Sequence, residues 1–369
     1  MAQNLKEFYE DVVQHNFCPL WEAGPTTISK EPVTKVVPYL WKWELIKEKL
    51  TEAGKLIKPG EKGSDRRVLM LQNPGLADIG WRGSTTQTLT TAIQMIMPGE
   101  KAPSHRHSQT ALRFIIEGEG AYTVVNGEKV AMDEGDFLLT SSWCWHEHGH
   151  DGAEPMFWLD TLDIPFVNAV NAGFFEADER TYQPVEFPEN YSIRKYANGM
   201  VRPIQDHNAE QKYRSPLANY KWDKTQDALD SLSDFNPNSY DGVCIEYINP
   251  NNGGSANEHI GTWMQKLPVG FHSKAHRHVH STVYHVFRGS GYSIINGTKF
   301  EWSKGDVFVV PTWAWHEHVN TSEEPSYLFS INDLPIMELL GFEKEQEHPK
   351  GNQEIKDVFQ PNILVKSKE

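Results

Sequence analysis

The chain has 369 residues, 38% of them hydrophobic and 23% charged, enough for two or three domains at about 100–200 residues each. Its formal charge of -15 argues against nonspecific nucleic-acid binding and against an anionic membrane surface, since both need a basic face; a small anion in a pocket with its own cations remains compatible. No apolar run nears the roughly 18 residues of a membrane span, and the charged opening MAQNLKEFYEDVVQH lacks a secretory apolar region, so a cytoplasmic protein is expected.

In chain order, residues 1–80 read as an N-terminal helical extension with the first strands. Segments 4–16 and 43–57 carry apolar positions at helical spacing, among them Leu45, Ile46 and Leu50. Residues 81–175 read as a first barrel, with short runs such as LRFIIEG, AYTVV and DFLLT broken by glycines and by the hairpin signal Asn126-Gly127. Residues 176–240 are polar and read as a connector wrapped on the barrels, with a short helix at DKTQDALDSL. Residues 241–342 read as a second barrel, with strands VYHVFRG, YSII and DVFVV and a second turn at Asn296-Gly297. Residues 343–369 are charged and read as a loose tail. Many short strands at such spacing make an all-β protein of small barrels or sandwiches.

The two barrels are expected because the chain repeats itself. GEKAPSHRHSQTALRFIIEGEGAYTVVNG from Gly99 matches GFHSKAHRHVHSTVYHVFRGSGYSIING from Gly270, taking His105 to His276. KVAMDEGDFLLTSSWCWHEH then matches KFEWSKGDVFVVPTWAWHEH, taking His146 to His316. Cys18, Cys144 and Cys244 form no CxxC pair, so neither a disulfide framework nor a thiolate zinc site is indicated. Histidine is the available ligand. His105 and His107, two residues apart on an extended strand, leave the same face, and an antiparallel neighbour can add His146. A lone H-x-H pair is usually surface polarity, but its repetition with W-x-W-H-E-H at matching distance is hard to explain as scatter. Three imidazoles on one face of an octahedron leave three positions open, which suits iron, manganese, nickel or cobalt. The second triad, His276, His278 and His316, keeps the spacing and stands open between a second metal and a structural role.

Gly99, His105, His107, Gly118, Gly120, Gly135, Asp136 and His146 resemble the two motifs of the cupin superfamily, a double-stranded β-helix jelly roll. The glutamate ligand usual four or five residues after the second histidine is absent; Ala111 and Leu112 stand there. The chain is therefore unlike the manganese cupins that decarboxylate oxalate. VVPYLWKW (36–43), RRVLMLQNPGL (66–76), APSHRHSQTALRFIIEGEG (102–120), WCWHEH (143–148) and WLDTLDIPF (158–166) resemble instead the gentisate 1,2-dioxygenase family of bicupins, with the related salicylate and 1-hydroxy-2-naphthoate dioxygenases. The resemblance implies Fe(II) on His105, His107 and His146, cleavage of gentisate to maleylpyruvate between the carboxyl- and hydroxyl-bearing ring carbons, and a homotetramer. An ortho-hydroxy carboxylate can chelate one ion through two oxygens and leave a position for O2.

Six residues past His107, Arg113 shares the histidine face and offers a planar fork for a carboxylate; the alternative is a pairing with a surface acid. His148 shares the parity of His146 and is expected as a donor or proton carrier, unless it binds a backbone carbonyl. Asp160 matches a family acid near the iron that orients a histidine or the substrate hydroxyl; a structural cap is the alternative. Gln94 and Arg66 match family substrate-pocket positions. Trp143, Trp145, Trp313 and Trp315 invite stacking on an aromatic substrate, although such residues are more often core. In the second barrel Tyr284 stands for Arg113 and Ser330 for Asp160, so equal activity is not expected there. The competing classes are a manganese bicupin decarboxylase, disfavoured by the missing glutamates, and a noncatalytic ligand-binding bicupin, disfavoured by six retained histidines.

Overall fold

In a computed structural model, residues 4–24, 27–59, 66–77, 82–207, 214–235 and 237–361 are described. Residues Met1–Lys35 form one compact unit and Val36–Glu369 a second. In the first unit the expected helix runs Leu5–Gln14, its N-terminus capped by Asn4, whose side chain accepts from the Glu7 amide at 3.0 Å. The second unit contains both barrels.

Each barrel is a pair of sheets whose strands are antiparallel but for the last strand of the second barrel. In the first barrel one sheet orders the strands Asn219–Tyr220, Phe137–Thr140, Ala111–Glu117, Met156–Leu162, Thr90–Ile96 and Val68–Met70; the other orders Phe175–Ala177, Lys101–His107, His146–His150, Ala121–Val125 and Glu128–Ala131. The second barrel repeats the plan from Tyr39–Trp41, Val307–Val310, Thr282–Arg288, Ser326–Asn332, Gly261–Leu267 and Val243–Glu246, against Glu345–Glu347, His276–His278, His316–Asn320, Ser290–Ile295, Thr298–Ser303 and Asp357–Val358. Both Asn-Gly turns put consecutive residues at positive φ, 45° and 83° in the first and 49° and 83° in the second, which matches the twist of the flanking strands.

Two features depart from the reading in chain order. Tyr39–Trp41 pairs with Val307–Val309 of the second barrel, and Asn219–Tyr220, within the expected connector, pairs with Phe137–Leu138 of the first. Each half thus lends its leading strand to an edge of the other barrel's sheet. The helices that follow, Trp43–Leu56 and Trp222–Leu232, dock alike: Asp306 accepts from the Trp43 amide at 2.9 Å and binds Lys42 at 2.7 Å, while Asp136 accepts from the Trp222 amide at 3.0 Å and binds Lys221. Gly135 and Gly305, at φ 89° and 91°, let Trp222 and Trp43 approach where any Cβ would collide. Of the apolar positions read on the first of these helices, Ile46 and Leu50 are buried and Leu45 faces outward. The second departure is the tail. Glu345–Glu347 pairs antiparallel with His276–His278, and Asp357–Val358 runs parallel to Thr298–Lys299, so the segment through 361 is part of the second barrel. Its charges line an edge strand, where they discourage further pairing.

Strand alternation sorts the apolar residues into three cores. Phe114, Phe137, Leu159, Val283, Phe287, Phe329 and Ile331 pack between the two barrels, with the Phe114 and Phe329 rings stacked at 4.3 Å. Ile96, Ile115, Leu138 and Trp158 fill the inner end of the first barrel; Tyr284, Val286, Trp302 and Phe308 fill that of the second. This back-to-back burial of one sheet from each barrel fixes the register of the strands that carry Gln94, Arg113 and Asp160.

Candidate metal centres

The H-x-H strand Lys101–His107 pairs with His146–His150 so that His105 lies opposite His146. With His107 two residues on, three imidazoles meet: their ligand atoms lie within 4.8 Å of one another, and the ring centroids stand 5.4 Å (His105–His107), 4.5 Å (His105–His146) and 4.9 Å (His107–His146) apart. His107 Nδ1 reaches the Gln109 carbonyl at 2.7 Å and His146 Nδ1 the Cys144 carbonyl at 3.0 Å. A carbonyl only accepts, so each contact places the proton on Nδ1 and leaves Nε2 a lone pair facing the cluster. Burial pulls His105 down to about 2 and His146 well below the ordinary histidine value, helped by Arg66, Arg113 and the neighbouring imidazoles. Three neutral imidazoles whose ligand nitrogens gather within 4.8 Å of one another fit a divalent transition metal.

The remaining sequence-selected residues surround this cluster. His148 is 1% exposed, and neither ring nitrogen has a protein partner; its ring lies 6.1 Å from His146 and 5.4 Å from Trp158. Burial holds its pKa well below the usual value. Arg113 and Asp160 are register partners and form a buried ion pair, Nε to Oδ1 at 3.0 Å. The alternative of a surface acid is thus excluded: the partner is itself a candidate site residue. Thr140 Oγ1 accepts from Arg113 Nη1 at 2.5 Å, and Trp158 Nε1 donates to Asp160 Oδ2 at 3.0 Å. Burial raises the Asp160 carboxyl, against the pull of Arg113. Gln94, 2% exposed, lies opposite Trp158. Arg66 donates through both Nη atoms to the Pro103 carbonyl at 3.1 Å, two residues before His105. Sequence reading missed Thr140, Trp158 and Phe175, whose ring lies 4.9 Å from His105. Trp158, two residues before Asp160, had the same parity as its signal.

Of the four tryptophans Trp313 is buried as core, and each of the four faces an arginine. Arg106, between the two ligands, lays its guanidinium 5.4 Å from Trp143 and 4.6 Å from Trp145; Arg277 does the same over Trp313 and Trp315 at 4.3 and 4.6 Å. Arginine points to the outer face of the strand, so these rings form cation–π clamps behind the triads, remote from the face where ligands converge.

The second triad has centroid separations of 5.3, 4.4 and 4.7 Å. His278 and His316 bind the His280 and Ala314 carbonyls through Nδ1 at 2.8 and 3.0 Å. His276 is likewise pulled to about 2. Around it the chemistry changes. Tyr284 and Ser330 are register partners where Arg113 and Asp160 were, Ser293 ties His318 Nδ1 at 2.7 Å, and Glu345 stands 3.3 Å from His276 Nδ1 in the place of Phe175.

The cupin domain family matches this chain twice, over residues 92–162 and 263–332. Gentisate 1,2-dioxygenase 1 of Aquipseudomonas alcaligenes is 38% identical over 94% of this chain and 98% of its own length. A 5-aminosalicylate 1,2-dioxygenase of Comamonas sp. is 39% identical over 94% and 91%. The crystal structure of salicylate 1,2-dioxygenase from Pseudoaminobacter salicylatoxidans with gentisate superposes with a TM-score of 0.87 at 34% identity, covering 94% of this chain and 95% of that one.

Proposed function

This chain belongs to the gentisate 1,2-dioxygenase family of bicupins, and on that premise we propose that its first barrel cleaves gentisate to maleylpyruvate with Fe(II) held by His105, His107 and His146. The observation that carries the reading is this neutral imidazole triad on one sheet of the barrel with a buried guanidinium, Arg113, on the sheet that faces it. When bound, ferrous iron supplies a shared coordination point for an ortho-hydroxy carboxylate and O2 and carries electrons between them.

The chain's own residues then bind, orient and shield. Arg113 offers its charge to the substrate carboxylate. Because Thr140 and Asp160 already hold the guanidinium, little ordering remains for the substrate to impose. Asp160 acts here as a positioning residue, kept in line by Trp158 Nε1. Arg66 adds positive potential from the Pro103 side, and Gln94 offers an amide near Trp158. His148, neutral and with both nitrogens unpartnered, is suited to donate a hydrogen bond to a substrate hydroxyl through one nitrogen and accept through the other. Phe175 covers His105 from the edge strand and limits water there.

The test is anaerobic loading with Fe(II), addition of gentisate in air, and measurement of O2 uptake with maleylpyruvate absorbance. Matched uptake and product support the reading; no uptake with gentisate, salicylate or 1-hydroxy-2-naphthoate overturns it. Uptake only with one of the last two moves the assignment within the family, as relatives named for those acids allow. We further propose a metal on His276, His278 and His316, which iron analysis at two rather than one per chain would support, and a cytoplasmic homotetramer of the 42.1 kDa chain, which light scattering would test.

A further inference from the structure

Both H-x-H strands end on the same device, and each device is assembled across the boundary between the barrels. After His107, whose Nδ1 contacts the Gln109 carbonyl, the Thr110 amide donates to Asp163 Oδ1 at 2.9 Å. Two side chains from the other half close on this point: Asn257 Nδ2 donates to Thr110 Oγ1 at 2.6 Å, and His259 Nδ1 meets Asp163 Oδ2 at 2.6 Å. Asn257 Oδ1 in turn accepts from the His259 and Ile260 amides at 3.0 and 3.2 Å, shaping its own turn. Thr110, Asp163 and Asn257 are all at most 2% exposed.

The mirror image follows the second triad. The Ser281 amide donates to Asp333 Oδ1 at 2.7 Å, and Thr88 of the first half donates to Asp333 Oδ2. Thr86 Oγ1 accepts from the Thr88 and Leu89 amides at 3.3 and 3.0 Å, as Asn257 does for its turn. Thr86 and Thr88 lie 171 residues before Asn257 and His259. A duplicated carboxylate thus receives a duplicated donor from the opposite barrel, with a hydroxyl on one side and an imidazole on the other. The hydrogen bond to Asp163 raises the His259 pKa, favouring the charged donor.

We infer that Asn257 and His259 of the second half are positioning residues for His107, so that the second barrel sets the aim of the catalytic metal ligand in the first. This rests on the first triad being the catalytic metal site. The mechanical route is short: Gln109, which orients His107, is the residue before Thr110, and Thr110 is held directly by Asn257 and, through Asp163, by His259. Without them Asp163 keeps the Thr110 amide but loses its half-buried imidazole partner, and the carbonyl that aims His107 is freed to move. Outer groups that orient metal-binding histidines alter affinity by about 10- to 100-fold when removed.

The test uses the full chain, stripped of metal and titrated with Co(II) alone, in two parents: His316→Ala, which leaves the first triad intact, and His146→Ala, which leaves the second. Added to the His316→Ala parent, His259→Ala is expected to weaken Co(II) binding about tenfold and to change the visible d–d bands, with His259→Gln, which keeps a donor, restoring both. Added to the His146→Ala parent, it should change neither. Should His259→Ala fail to fold, His259→Leu, closer in volume, carries the same expectation. Unchanged affinity and bands in the His316→Ala parent, or equal losses in both, overturn the inference. Because the readout is metal binding, failure here is distinguishable from absence of gentisate turnover.

Discussion

In both barrels the three imidazoles keep almost the same spacing, 5.4, 4.5 and 4.9 Å against 5.3, 4.4 and 4.7 Å, while the facing wall passes from Arg113 with Asp160 to Tyr284 with Ser330. Ligand geometry belongs to the register of each H-x-H strand with its antiparallel neighbour, His105 opposite His146 and His276 opposite His316. Charge belongs to two side chains on one strand pair, which can change together without disturbing that register. His148 and His318 show the same division: equivalent backbone positions, but one ring has no protein partner and the other is tied to Ser293. Duplication therefore preserved a place for metal and let the chemistry around it diverge.

The sharpest way to break this asymmetry is to delete one ligand at a time. His105→Ala should abolish gentisate turnover and remove the metal of the first site; His276→Ala should leave turnover largely in place. If His276→Ala is as damaging by O2 uptake, the barrels are not divided as described. A smaller effect comes from the wall. Arg113→Ala strands Asp160 as a buried charge, which should cost about 3–5 kcal/mol of stability in urea unfolding. Grafting the second barrel's pair, Arg113→Tyr with Asp160→Ser, removes both charges and should recover much of that loss. Either variant should lower kcat/KM by about 10- to 100-fold, the worth of a charged hydrogen bond, with iron content intact; loss of iron would make Arg113 a structural residue.

A pH titration sharpens what the barrels share. His105 and His276 both have folded pKa values of about 2, below the unfolded value near 6.5. The unfolded chain therefore binds protons that the folded chain refuses, so their contribution is complete above pH 6.5 and is lost as pH falls below it. Each should contribute a slope that climbs from about half of 1.4 kcal/mol per pH unit at pH 6.5 toward that full value as pH falls, in the metal-free protein. Urea unfolding from pH 6.5 to 5.5 should show His105→Ala and His276→Ala reducing that slope alike, and unequal reductions would separate the two environments. The smallest effect is expected behind the triads. Trp145→Leu and Trp315→Leu should each cost about 0.5–1 kcal/mol by removing one face of a cation–π clamp and leave KM for gentisate unchanged; a raised KM for Trp145→Leu would put that ring in the substrate pocket.

Local patterns made a large part of this legible in advance. The H-x-H spacing, Asn126-Gly127 and Asn296-Gly297, and the helical patterns at 4–16, 43–57 and 223–232 are short-range signals, readable because strand alternation, turn geometry and helical pitch act over a few residues. Thr140 and Trp158 were harder to see. A threonine and a tryptophan on barrel strands are ordinary until the register shows which buried charge each one meets. Glu345 was lost in a segment whose charge resembles a tail, yet it stands beside a ligand of the second triad.

The amino-acid sequence by itself determined the duplication, the two histidine triads and the unequal residues at 113 and 284, because repeats and side-chain parity are written in order along the chain. Only the tertiary structure decided that Arg113 and Asp160 are one ion pair, that Tyr39–Trp41 and Asn219–Tyr220 complete the opposite barrels, and that His259 reaches Asp163. These are pairings between strands and turns up to 270 residues apart. Their partners are chosen by register and by burial of whole sheet faces, which no local stretch of sequence encodes.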